Sequence, residues 1–341
     1  MRGSVRIVVS TKRLRYELNL RRNITIIQGD SASGKTTLVQ VISDYLSGRT
    51  GPGTEVICEK KCVVLSGEEE TAILRLRLLT SAIVFVDEQE SFLSSKAFAE
   101  AVLSSDCYFV FITRDGLNML PYSVNEIYYL KNSGYYQNTR QVYNSMHQVY
   151  PELDRKEKIV PSVVLTEDSN AGYEMFEAIC RNDKALCVSA SGKSNVAQYI
   201  LANKKENIFA IVDGAAFGAD MQSVIHALEA SRGSHVWTPE SFEYLVLRSG
   251  IVQSEGLKDI LDVPEDYIES GEYSSWERFF TRLLEDSTRN TIYAYSKKKL
   301  NPHYLTKGNK YKIEKLMDKV FGLSFFKPEE GDEQDESAII S

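Results

Sequence analysis

Short, wholly apolar runs alternate along the chain with polar stretches of helical periodicity. Ile24-Thr25-Ile26-Ile27, Ile83-Val84-Phe85-Val86 and Tyr108-Phe109-Val110-Phe111-Ile112 have the length and the β-branched or aromatic content of strands buried on both faces. Cys62-Val63-Val64-Leu65 predicts another core strand, while Thr37-Leu38-Val39-Gln40-Val41-Ile42 and the stretch from Glu68 to Leu79 have the spacing of helices. Val124 to Leu130 and Tyr135 to Tyr143, separated by a turn at Asn132-Ser133-Gly134, predict a β-hairpin that closes this first unit. The pattern breaks near Asn144 to Pro161 and then restarts. Strands are expected at Ser162 to Thr166, Leu186 to Val188 and Ile208 to Val212, with a helix from Tyr173 to Cys180. Beyond Trp237 the apolar spacing is helical at Ser241 to Leu247, Leu257 to Leu261, Trp276 to Leu284 and Ile313 to Val320, and Trp237, Trp276, Phe279 and Phe280 are expected in the core. The expected organisation is therefore α/β: a unit with a parallel sheet over 1–150, a second α/β unit over 158–250, a helical extension over 251–327 and an acidic tail over 328–341. No internal repeat is visible.

The first run leads straight into Gly29-Asp30-Ser31-Ala32-Ser33-Gly34-Lys35-Thr36, a complete G-x-x-x-x-G-K-[ST] phosphate loop, and Thr37 opens the helix behind it. Glycines let successive backbone N–H groups curl around phosphates, Lys35 reaches the β and γ oxygens, and the Thr36 hydroxyl ligates Mg²⁺. Strand, loop and helix occur in the order that points a helix N-terminus at the phosphates. Asp87 and Glu88 end the Ile83–Val86 run, where Asp87 would hold Mg²⁺ through water and Glu88 would polarise an attacking water. Thr113-Arg114-Asp115 ends the third run, where polar groups would face the γ-phosphate. Phosphate loops read phosphates and not purine edges, so ATP and GTP both remain open; ATP is the expected cofactor.

Loop, Asp-Glu strand and Ile112-Thr113-Arg114 together resemble the ABC-type ATPases, and Arg114 stands near the position where that group commonly has a His. Leu65-Ser66-Gly67 follows the phosphate loop too closely to leave room for the helical subdomain of that group, which implies a trimmed P-loop domain.

The second unit carries its own acids. Glu167 and Asp168 follow one strand, Ser191-Gly192-Lys193-Ser194 a second and Asp213 a third, so Glu167, Gly192 and Asp213 would share one rim of a parallel sheet. Glu after a first strand, Gly after a second and Asp after a third resembles the Toprim fold of topoisomerases, primases and the overcoming-lysogenization-defect nucleases. In those nucleases an ATPase of ABC type precedes the Toprim domain. Pro239-Glu240-Ser241-Phe242-Glu243 is similar to the S-x-E element that helps to bind metal there. The resemblance implies Mg²⁺, or Mn²⁺ in its place, on Glu167, Asp213 and Glu243, and a part in defence against phage or other foreign DNA. It departs at Asp213-Gly214-Ala215, where the group usually has D-x-D; Asp220 is the nearest substitute, provided that the loop from Gly214 to Gly218 folds back. Gly192-Lys193-Ser194 lacks the first Gly of a second phosphate loop and reads as a tight turn with Lys193 near a substrate phosphate.

Composition adds limits. With 43% hydrophobic and 26% charged residues in 341, the chain is an ordinary globular one, long enough for two cores. No apolar run approaches the length of a membrane span and no signal-like segment follows Met1-Arg2-Gly3-Ser4, so the cytoplasm is the expected compartment. Five cysteines argue against a disulfide framework; Cys107, Cys180 and Cys187 sit in apolar settings, and Cys58 and Cys62 lack a second pair for zinc. The net charge of −7 belongs to the second half, including a tail from Glu329 to Glu336 expected to be disordered. Before it, Arg289, Lys297, Lys298, Lys299, Lys307, Lys310, Lys312 and Lys315 interleave with Tyr293, Tyr295, Tyr304 and Tyr311, which suits a nucleic-acid backbone with stacked bases or, equally, a solvated face over core tyrosines. The expected function is an ATP-regulated, Mg²⁺-dependent nuclease with nucleic acid as partner. The alternative is an ATP-driven switch whose Toprim-like part binds a protein or nucleic acid without cutting. A homo-oligomer is expected in either case.

Overall fold

The computed structural model describes residues 2–29, 34–137, 139–151, 160–181, 185–231 and 233–321. Asp30, Ser31, Ala32 and Ser33 of the Gly-rich motif, much of the expected boundary between the two units and the acidic tail lie outside the described residues.

The chain is α/β, with two sheets. The first is assembled from β1 (Val5–Ser10), β2 (Leu14–Leu20), β3 (Ile24–Gln28), β4 (Glu55–Cys58), β5 (Cys62–Val64), β6 (Ile83–Val86), β7 (Tyr108–Ile112), β8 (Ile127–Tyr135) and β9 (Val142–Gln148). Helices α1 (Lys35–Leu46), α2 (Glu69–Arg77) and α3 (Lys96–Leu103) connect these strands. Among the described residues the sheet has nine strands in the order β4-β1-β2-β9-β8-β3-β7-β6-β5. From β8 through β5 it is parallel, and β3 lies between β8 and β7. The strands expected from apolar runs in the first unit fall here, because a strand covered by helices on both faces must be apolar at nearly every position. The sheet is nevertheless mixed. β1 pairs antiparallel with β2 and β4, and β8 with β9, while β2 joins β9 in parallel. The alternation of Leu14, Tyr16, Leu18 and Leu20, with the last three buried, is the signature of the one-sided strand β2.

The second sheet takes β10 (Val163–Thr166), β11 (Leu186–Ser189), β12 (Ile208–Ile211) and β13 (His235–Trp237), all parallel, in the order β11-β10-β12-β13. Its helices are α4 (Ala171–Cys180), α5 (Val196–Ala202) and α6 (Gly218–Ala230). The remainder is helical: α7 (Phe242–Arg248), α8 (Leu257–Asp262), α9 (Trp276–Thr288) and α10 (Lys307–Phe321). One apolar cluster runs from Val164 and Met175 through Trp237, Phe242 and Leu245 to Phe280, Tyr304 and Met317, so the helical extension and one face of the second sheet share a core. Trp237, Trp276 and Phe280 are buried in it as expected, and Phe279 packs against it. Cys62, Cys107, Cys180 and Cys187 are buried thiols, and all five cysteines are free. No helix among the described residues is long and apolar enough to cross a membrane.

The loop after β12 is pressed against the segment that links β13 to α7. The Gly214 amide donates to the Pro239 carbonyl at 2.6 Å, and a Cβ on Gly214 would lie inside contact distance of the Thr238 carbonyl oxygen and 2.9 Å from that of Pro239. Backbone atoms cannot step aside as a side-chain tip can. Gly214→Ala is therefore expected to destabilise the protein by about 2 kcal/mol or more, read as a lowered thermal midpoint.

Candidate functional site

Two constellations occupy strand ends, one on each sheet. On the first sheet, β3, β7 and β6 run parallel in register, with Ile27 beside Ile112 and Phe111 beside Val86. Gly29, Thr113 and Asp87 therefore stand at adjoining strand ends on one rim, with β7 between the Gly-rich motif and the two acids. Gly34 caps α1 with φ of 85°, a left-handed conformation open to glycine, and its carbonyl accepts the Tyr16 hydroxyl at 3.1 Å. Lys35 is 4% exposed, and its ammonium donates to the Gly29 carbonyl across the motif. Thr36 and Thr37 are exposed at the first turn of α1. Glu88 is held by Arg114, Nη2 to Oε1 at 3.1 Å and Nε to Oε2 at 3.2 Å. Thr113 is buried and turns the chain through its hydroxyl, which donates to the Asp115 carbonyl at 2.8 Å and accepts the Asp115 amide at 3.2 Å. The structure thus gathers Gly29, Gly34, Lys35, Thr36, Asp87, Glu88 and Arg114 on one edge.

On the second sheet the three expected strand ends meet as well. Glu167 follows β10, Asp213 follows β12, and the Gly192 amide donates to the Glu167 carbonyl at 2.8 Å. The Asp213 amide donates to Glu167 Oε2 at 3.3 Å, while Asp213 Oδ1 accepts the Phe242 amide at 3.1 Å, at the first turn of α7. That turn starts at Ser241, whose hydroxyl accepts the Tyr244 amide at 3.2 Å, and it buries Glu243 to 1% exposure. Glu167, Asp168, Asp213, Glu243, Tyr295 and Lys297 all line one cavity of about 40 Å³, room for an ion or a water molecule and not for a nucleoside.

The electrostatics of this cavity are those of crowded acids. Burial is the main reason that the Glu167 carboxyl is raised to about 7, with Glu277 and Asp168 adding repulsion against the pull of the Asp213 amide and Lys193. Burial likewise pushes Asp213 well above the usual carboxylate range; Glu277, Glu243 and Glu167 reinforce this and Lys297 opposes it. Burial alone would lower the pKa of the Lys297 ammonium, but Glu277, Glu243 and Asp213 outweigh it and keep the ammonium charged. Lys297 is ion-paired to Glu277, and Glu243 Oε1 accepts the Tyr295 hydroxyl at 2.8 Å. Glu243 Oε2 is buried without a hydrogen-bond partner. Removing the Tyr295 hydroxyl in Tyr295→Phe would leave both oxygens of that carboxyl without donors. The expected loss is about 1–3 kcal/mol, measured by urea unfolding.

Several expected residues are used differently. Asp220, in the first turn of α6, lies across from Lys193, 3.6 Å away, and does not line the cavity. Ala215, where the D-x-D pattern would have its second acid, is 2% exposed and packed in the apolar cluster of the extension. The acids that line the cavity do not converge on a point: among the described residues no three His, Cys, Asp or Glu side chains are grouped to hold an ion. Glu277, Tyr295 and Lys297 come from the extension. Of these, Tyr295 and Lys297 belong to the basic and aromatic stretch, and both turn inward. Lys310 and Lys312 donate to the Ala178 and Gly250 carbonyls at 3.1 Å each, and Tyr304 is buried, so much of that stretch is structural. No protein-family model matches the chain, and no curated protein matches it.

Proposed function

We propose that the chain binds and hydrolyses ATP on the first sheet and that the acid cavity of the second sheet takes Mg²⁺ and acts on nucleic-acid phosphodiesters. This is the P-loop and Toprim pairing of the overcoming-lysogenization-defect nucleases that the sequence resembles. The observation that carries the nucleotide half is β3 passing through the Gly-rich motif into α1 with Lys35 lying back on Gly29, one strand removed from Asp87 and Glu88. Lys35 would leave the Gly29 carbonyl for the β and γ oxygens, and Thr36 and Asp87 would hold Mg²⁺. Glu88 would orient the attacking water once Arg114 turns to the γ-phosphate.

In the acid cavity Glu167, Asp213 and Glu243 would be the groups to hold a hard cation: they offer carboxylate oxygens, and Glu243 Oε2 is buried with no hydrogen bond. They would have to draw together, since they are not grouped around one point. Mg²⁺ held there would neutralise charge on attacking and leaving oxygens. Glu243 and Tyr295 are buried at the site, Glu167 and Asp213 are partly exposed, and Lys297 with the acids sets its charge.

A second reading has its own observations. Lys297 already brings a cation to the acids, and Ala215 belongs to the core, which favours an ATP-driven switch that binds a protein or nucleic-acid partner without cutting it. Nicking of supercoiled plasmid with Mg²⁺ or Mn²⁺, with and without ATP, separates the two. Cleavage by the wild type that disappears in Glu167→Ala and Asp213→Ala is the expected result; intact ATP hydrolysis with no cleavage under any condition would replace the nuclease by the switch.

A further inference from the structure

A buried arginine that neither site uses joins the start of β3 to the segment before α7. Arg22 stands in the turn between β2 and β3, two residues before β3 begins, and is 6% exposed. Its guanidinium meets Glu240 with both terminal nitrogens, Nη1 to Oε2 at 2.8 Å and Nη2 to Oε1 at 2.5 Å. Nε faces Glu126 at 3.4 Å, and the plane lies over Trp276, 3.6 Å from the ring centroid. A flat, delocalised cation can grip a carboxylate with two prongs and cover an indole at once, which an ammonium cannot. Burial would weaken its charge, but Glu240 and Glu126 outweigh burial and hold its pKa above the ordinary value.

What Arg22 grips is the frame of the acid cavity. Glu240 stands three residues before Glu243, and Trp276 one residue before Glu277, the partner of Lys297. The loop that carries Asp213 is fixed from the same side. The Val124 amide donates to the Gly214 carbonyl at 2.9 Å, the Gly218 amide to the Tyr122 carbonyl at 2.9 Å, and Asn125 Nδ2 to Glu240 Oε1 at 3.2 Å. A Cβ on Gly218 would collide with the Tyr122 ring, so the two backbones meet as closely as they can.

These contacts sit at the opposite end of β3 from the nucleotide rim, and two segments join them to it. Arg22 precedes β3, whose far end is Gln28 and Gly29; Tyr122 to Glu126 follow the chain that leaves β7 at Thr113 and Arg114, beside Glu88. A shift of β3 or of the segment after β7 reaches Glu240, Gly214 and Trp276 through short, packed segments and a charge network that is costly to break.

We infer that Arg22 is a positioning residue that couples occupancy of the phosphate loop to the geometry of the acid cavity. The inference rests on the nucleotide half of the proposed function and is independent of whether the cavity cuts. Hydrogen exchange of the full chain tests it, with and without a non-hydrolysable ATP analogue whose binding is measured in parallel. The analogue should slow exchange in peptides covering 211–217 and 239–247 of the wild type. Arg22→Lys and Arg22→Met should bind the analogue with unchanged affinity and lose that response, whereas a merely structural role would leave the response in place. A response that survives in both variants, or a wild type that binds the analogue without any response, overturns the coupling. A wild type that binds no analogue overturns the nucleotide reading and this inference with it, and the direct binding measurement identifies that case.

Discussion

Lys35→Ala is expected to reduce nucleotide affinity by more than about a hundredfold. A charge-assisted hydrogen bond is worth about 1.5–3 kcal/mol, and Lys35 would make one to each of the β and γ phosphates, so its loss removes at least about 3 kcal/mol, or two decades in affinity. The fold should tolerate the change. Without ligand the ammonium donates to the Gly29 carbonyl, among other contacts, while the helix behind it is held by Leu38, Val39 and Ile42 in the core. Lys35→Arg is also expected to bind poorly, because a planar fork does not replace a compact ammonium in a closed loop. Titration with a fluorescent ATP analogue measures both, with Asp213→Asn as the variant expected to keep full affinity. Undiminished binding by Lys35→Ala would remove the nucleotide assignment.

The second large effect concerns pH. Most acidic proteins lose stability on acidification, yet the metal-free chain should gain stability from its cavity as pH falls from about 7 to about 4.5. The folded state keeps the Glu167 proton up to about pH 7, whereas the unfolded chain gives it up near 4.5, the ordinary value. Between those values the folded state binds more protons than the unfolded one, so the unfolding free energy falls as pH rises and levels off above the folded value. A window of about 2.5 pH units at about 1.4 kcal/mol each gives an upper figure of about 3.5 kcal/mol from this one group. Asp213 works in the same direction, since burial and three acidic neighbours hold its proton as well. Urea midpoints at about pH 5 and about pH 8 measure the sum. Asp213→Asn should flatten the slope and raise stability at the higher pH, because an amide oxygen still accepts the Phe242 amide without a buried charge. A chain whose stability rises over this window would show that the acids are ionised in the fold.

The strands of the first rim were legible because burial on both faces leaves a purely apolar signature, and β3, β6 and β7 are apolar throughout except Thr25 and Gln28. The rim acids Glu167 and Asp213 were legible for a related reason: in a parallel sheet, the residue after each strand lands on the same edge whatever lies between. β1 and β4 were harder, since strands near a sheet edge tolerate polar residues such as Arg6 and Glu55. Lys297 was misleading in a more general way. A lysine among lysines reads locally as solvated, and nothing near it in sequence announces the three carboxylates that draw it inward. Asp220 shows the reverse. It is acidic and close in sequence to Asp213, but the start of α6 turns it toward Lys193 and away from the cavity.

The cavity collects its parts from distant points of the chain, and this has a consequence during synthesis. Glu167 and Asp213 leave the ribosome long before Glu277 and Lys297, and the apolar cluster beneath them includes Phe280, Tyr304 and Met317. A nascent chain that ended shortly after β13 would hold crowded acids without their counter-charge and a sheet face without its cover. The first sheet needs nothing beyond β9 to complete its pairing and can close early. The rim of the first sheet is thus the natural earlier product of translation, and the acid cavity is assembled only once the chain has emerged beyond Lys297 and Met317.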